Sequence, residues 1–114
     1  MRRMSFAMTK KQILDQTKTV TRRIGWKFLK NFQRIQPVEK CMGLKKGEKQ
    51  KLLGQPIDIM SVRREPLHAI TQEDVVKEGF PDKSVEWFIE MFCKANKCTP
   101  DTEITRIEFM FLPF

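Results

Sequence analysis

Between residues 17 and 26 the chain reads Thr-Lys-Thr-Val-Thr-Arg-Arg-Ile-Gly-Trp, a run in which cations and hydroxyls crowd one short stretch. β-Branched Thr19, Val20, Thr21 and Ile24 favour extended backbone there. Alternation along a strand puts Lys18, Val20 and Arg22 on one face and Thr19, Thr21 and Arg23 on the other. Such groups do not enter an apolar core without partners, so at least one side of the strand is expected to face a polar pocket or a ligand. Immediately downstream, Trp26, Phe28 and Phe32 are interleaved with Lys27 and Lys30. Flat rings beside cations suit base stacking combined with phosphate contact, with Trp26 the foremost candidate. Arg63 and Arg64 extend the basic set; pairing of Arg63 with Glu65 or Glu78 is the purely structural alternative.

The charge is unevenly spread. Residues 1–51 hold 15 Lys/Arg against 3 Asp/Glu, a net of +12, whereas residues 52–114 hold 7 against 11, a net of −4. A basic half on a small domain is the footprint of a polyanion binder, and RNA or a modified nucleoside is the expected partner. At 40% hydrophobic and 32% charged, the 114 residues are expected to form one globular domain spanning 1–114. No apolar run approaches the ~20 residues that cross a bilayer, and the basic N-terminus lacks the apolar stretch of a secretion signal. No membrane partner and a cytoplasmic location, in a bacterium or a phage-infected host, are expected. Cys41, Cys93 and Cys98 are odd in number and lack zinc-ligand spacing with His68, so free thiols are expected, with no metal and no cofactor.

The elements that must position the Lys-Thr strand follow from pattern. A first strand is expected over residues 3–8, then a helix from a Thr9–Gln12 capping box to about Gln16, burying Ile13 and Leu14. Lys18 falls where that helix hands over to the strand, and only a turn position lets it share a pocket with Thr21. A strand from Phe32 to about Glu39 carries Pro37, which marks an edge or a bulge. A Lys-rich, Gly-punctuated loop precedes a strand from Pro56 to Pro66. Thr71–Asp74 reads as a second capping box, its helix stopped by Gly79 and Pro81. Ser84 caps a helix stacking Trp87, Phe88, Met91 and Phe92 as a core stripe, and Thr102–Leu112 closes the chain as a strand. The order suits an α+β domain whose strands share one curled sheet or barrel.

A short helix, then Lys18-Thr19-Val20-Thr21-Arg22-Arg23, then Ile70-Thr71 through Glu78-Gly79 resembles the ASCH domain, a relative of the PUA fold. The resemblance covers nearly the whole chain. The wording of Glu39 to Gly47 and of Arg106-Ile-Glu-Phe109 is most similar to small ASCH proteins carried by phages and prophages. It implies a PUA-like curled sheet or pseudo-barrel of five to six strands with three short helices, and a cleft binding RNA or modified nucleosides. One branch of the family, the N4-acetylcytidine amidohydrolases, uses a Lys, a Thr and a Glu, which match Lys18, Thr21 and Glu78 by local context. On that resemblance Thr21 would be the nucleophile, Lys18 its base, and Glu78 the residue that orients Lys18 or protonates the leaving amine. Arg22 or Arg23 would lower the Lys18 pKa, and Arg23 or backbone N–H groups would hold the oxyanion. A metal-dependent ribonuclease, suggested for some relatives, lacks a carboxylate cluster in the basic half.

Overall fold

The computed structural model describes residues 1–113. Five strands form a single sheet: β1 (Arg2–Ser5), β2 (Val20–Arg23), β3 (Arg34–Val38), β4 (Ile57–Pro66) and β5 (Glu103–Phe111). Their spatial order is β1-β3-β4-β5-β2, with β1 and β3 parallel and the other pairs antiparallel. β1 and β2 are therefore free edges, and the sheet is curled but open rather than a closed barrel. Three α-helices accompany it among the described residues, α1 (Lys10–Leu14), α2 (Gln72–Lys77) and α3 (Val85–Asn96).

The start of the chain departs from the expected pattern. β1 ends at Ser5, because Ala7–Thr9 winds into a 3-10 turn that leads directly into α1. The Thr9 side chain caps nothing; it is buried, and the Gln12 amide donates instead to the Gly79 carbonyl at 3.2 Å. Ile13 is buried as expected, but Leu14 is 56% exposed because five residues of helix give only one face to the core. Pro37 lies in β3 beyond the two residue pairs that join β3 to β4, where no ladder hydrogen bond to β4 is lost. Between Ile59 and Ser61 one residue, Met60, bulges out of the β4–β5 pairing.

The apolar residues form two clusters. Met4, Phe6, Ile13, Ile35, Ile57, Ile59 and Phe109 pack on one part of the sheet. Leu67, Ile70, Val75, Phe88, Phe92 and Ile104 pack beneath α2 and α3. Ser84 accepts the Trp87 N–H at 3.0 Å and starts α3, whose Phe88 and Phe92, four apart, are its buried residues. Lys97 in the left-handed conformation ends α3, ahead of Pro100. The edge strand β2 is left beside the seam between the two clusters.

Candidate functional site

Lys18 is brought to the site by the exit from α1. Gln16 takes the left-handed conformation (φ 63°) that more often belongs to Gly, and the Lys18 N–H donates to the Gln12 carbonyl at 3.2 Å. Lys18 therefore belongs to the turn, two residues ahead of β2. The next residue, Thr19, donates its N–H to the Lys77 carbonyl at 2.8 Å, which ties the start of β2 to the end of α2. There Glu78 caps α2 and Gly79 (φ 104°) turns the chain away. The Lys18 ammonium donates to Glu78 Oε1 at 2.7 Å and to the Glu78 carbonyl at 2.8 Å. Both side chains are 3% exposed. A cation at a helix C-terminus satisfies carbonyl groups that the helix leaves open.

These residues border a cavity of about 280 Å³ at the seam. Lys18, Thr21, Arg22, Arg23 and Glu78 form its polar side, while Phe6 from one cluster and Phe88 and Phe92 from the other face it as rings. Thr21 and Arg23 are two apart on β2, and Arg23 Nε donates to the Thr21 hydroxyl at 3.1 Å. The Arg23 guanidinium also lies 4.7 Å from the centre of the Phe6 ring. Thr21 and Arg23 share the face of the edge strand β2 that meets the cavity, while the fully buried Arg22 side chain lies behind it.

Burial sets the electrostatics. Loss of water pulls the Lys18 ammonium below its ordinary pKa; Glu78 opposes this, and Arg23 and Arg22 add to it. Burial likewise brings Arg23 down to about 10, against the pull of Glu78. Behind the cavity Arg22 donates to Glu78 Oε2 at 3.3 Å, Glu65 Oε2 at 3.1 Å and Asp74 Oδ2 at 2.5 Å. Arg106 closes a two-pronged pair on Asp74 at 2.6 and 2.9 Å. Burial alone would raise the Asp74 carboxyl, but the hydrogen bonds from Arg106 and Arg22 outweigh it and hold it well below the usual range.

Of the residues expected to matter, Lys18, Thr21, Arg22, Arg23 and Glu78 meet at the cavity. Thr19, Trp26, Lys27, Lys30 and Arg63 do not line it. Arg22, one of the cations of the strand expected to face a pocket or nucleic-acid ligand, is corrected to a buried position: its side chain is fully buried and held by three carboxylates. Arg63 is exposed and pairs with Glu65 at 2.8 Å, the structural alternative read from the sequence. Trp26, the foremost stacking candidate, is not the ring that is open to solvent. Trp26 is half-buried against the core and 5.4 Å from Phe28, whereas Phe28 and Phe32 are 49% and 78% exposed. Asp74, Arg106 and the Phe6, Phe88 and Phe92 wall were not read as site residues. Asp74 stands four before Glu78, the cap of α2, and Arg106 stands between Thr105 and Ile107 on β5; these are the signals the sequence offers.

No family model matches the sequence, and no curated protein does. Solved structures do match. An ASCH domain from Lactobacillus crispatus JV V101 is similar at 16% identity and a TM-score of 0.65, over 95% of this chain and 77% of that one. A DUF984 protein from Enterococcus faecalis V583 is similar at 14% identity and a TM-score of 0.61, over 92% and 67%. The chain thus has the fold of an ASCH domain, an α+β curled sheet of the PUA-like kind.

Proposed function

We propose that the protein binds a modified nucleoside, free or within RNA, with its base in the cavity between β2, the end of α2, and α3. The observation that carries this reading is the buried Lys18–Glu78 pair facing an aromatic wall across a hollow of about 280 Å³. That volume is near the lower limit for small-ligand sites, and an apolar wall with a few converging polar groups is their usual make-up. Phe6, Phe88 and Phe92 offer rings to a base, while Lys18, Glu78 and Arg23 supply donors and an acceptor for its edge. Calorimetric titration with N4-acetylcytidine, cytidine and uridine tests this. Binding of at least one nucleoside, weakened tenfold or more by Lys18→Met, is expected; no heat from any of them, or equal affinity in the variant, rejects it.

A second reading, amide hydrolysis, is favoured by two residues lining one cavity: Thr21, and Lys18 with its ammonium pulled below its ordinary pKa by burial. Thr21 Oγ would attack the acetyl carbonyl of N4-acetylcytidine and pass its proton to neutral Lys18, with Arg23 donating to the oxyanion. The C–N bond would then break as Lys18 returns the proton to the departing amine, and water would release acetate from Thr21. Chromatography separates the two readings. Hydrolysis predicts cytidine from the wild type and none from Thr21→Ala or Lys18→Ala; no cytidine at high enzyme concentration leaves binding alone.

A further inference from the structure

Three arginines stand in one row of the sheet: Arg22 on β2 faces Arg106 on β5, which faces Arg63 on β4. Like charges opposite one another repel, so this row needs carboxylates placed among them. Asp74 reaches down from α2 and accepts from both Arg22 and Arg106. Arg22 is the branch point. Its Nη2 lies 2.5 Å from Asp74 Oδ2, whereas its Nη1 lies 3.3 Å from Glu78 Oε2, and its buried Nε has no partner. Glu78 is correspondingly divided, with Oε2 toward Arg22 and Oε1 on the Lys18 ammonium at 2.7 Å.

We propose that Asp74, backed by Arg106, is a positioning residue for the cavity: it holds the Arg22 guanidinium off Glu78 and thereby reserves one Glu78 oxygen for Lys18. The functional weight of this device rests on the reading that Lys18 faces the ligand. Its physical content does not. Arginine prefers to grip a carboxylate with two parallel hydrogen bonds, and Glu78 is within its reach. Without the Asp74 charge, Arg22 Nη2 keeps only Glu65, at 3.1 Å, and the guanidinium turns toward Glu78. Lys18 then shares its carboxylate, keeps the Glu78 carbonyl at 2.8 Å and faces a nearer guanidinium. Without Arg22, Glu78 belongs to Lys18 alone and a repelling charge is gone. The charged groups facing Lys18 are Glu78 from the end of α2 and Arg22 and Arg23 from β2, while α3 brings Phe88, Phe92 and Asn96 to the cavity.

The signs of the two substitutions are therefore opposite, and because Asp74 acts through Arg22 its substitution has no further effect once Arg22 is gone, which distinguishes positioning from the summed charge of the two groups. Titration of the Lys18 Nζ and Cε resonances by NMR, in the unliganded full chain, reads them directly. Asp74→Asn lowers the Lys18 pKa by roughly one unit, Arg22→Met raises it by a similar amount, and the double variant matches Arg22→Met alone, because Asp74 acts through Arg22. Arg106→Gln frees Asp74 to draw Arg22 further from Glu78 and raises the Lys18 pKa; it serves if Asp74→Asn does not fold. Shifts of one sign throughout, a double variant at the sum of the two single shifts, or no shift while the variants remain folded, overturn the proposal. Because no ligand enters the experiment, a failed nucleoside titration leaves this result standing, and the reverse also holds.

Discussion

At Lys18 burial, more than its ion pair with Glu78, governs titration, and that has a consequence for stability. An ammonium whose folded pKa lies below the unfolded value of about 10.4 binds fewer protons in the folded protein, so stability rises with pH between the two values. In urea titrations the wild-type midpoint is expected to climb relative to Lys18→Met as pH rises toward about 10; parallel curves contradict the assignment. Asp74 works in the other direction. Its folded pKa lies below the unfolded value of about 3.9, so its contribution is complete above that value and is lost as pH falls through the lowered one. Asp74→Asn removes one partner from two buried arginines and is expected to cost about 3 kcal/mol near neutrality, a gap that narrows below about pH 4. The alternation of Thr21 and Arg23 against Arg22 was readable from the 17–26 stretch. The burial of Arg22 was not, since its three partners lie 43 to 56 residues away in the chain.

Between α1, β2 and α2, two backbone devices hold the site. Gly79 sits at φ 104°, and a Cβ there would come within 2.8 Å of the Gln12 side chain that donates to its carbonyl. Gly79→Ala is expected to destabilise the fold by more than about 1 kcal/mol and to broaden the Lys18 resonances, as measured by thermal melts and NMR. Gln16 holds a left-handed conformation without being Gly, so Gln16→Gly is expected to leave stability unchanged or to raise it by ~0.5–1 kcal/mol. A clear loss would mean that the Gln16 side chain has a role of its own. Element-level reading succeeded where a local signal sufficed. Thr71 and Ser84 do cap α2 and α3, and Gly79 does stop α2. It failed where tertiary demand overrode the signal. Thr71 accepts the Asp74 N–H at 3.2 Å, but the Asp74 carboxylate leaves the capping box for Arg22 and Arg106. Thr9 gives up its cap for a buried position lining the cavity, and the Met60 bulge leaves no mark in the periodicity of β4.

Across the whole molecule the excess charge and the cavity are separate resources. Lys27 and Lys30 are exposed beside Phe28 and Phe32, and no carboxylate pairs with either lysine among the described residues. If RNA presents the nucleoside, its affinity falls with salt, and Lys27→Gln with Lys30→Gln together is expected to reduce the slope of log affinity against log salt by about 1 to 2. An unchanged slope removes this surface from the account. No helix among the described residues is long and apolar enough to cross a membrane. The five-stranded, α+β plan was legible because strand alternation and caps are local, whereas the openness of the sheet depends on which strands end as edges. The most direct test of the central claim is a crystal of the protein soaked with N4-acetylcytidine. Electron density for the base among Phe6, Phe88 and Phe92, with the acetyl group toward Thr21 and Lys18, is the predicted result. An empty cavity with the nucleoside bound only at the exposed Phe28–Phe32 surface would contradict it.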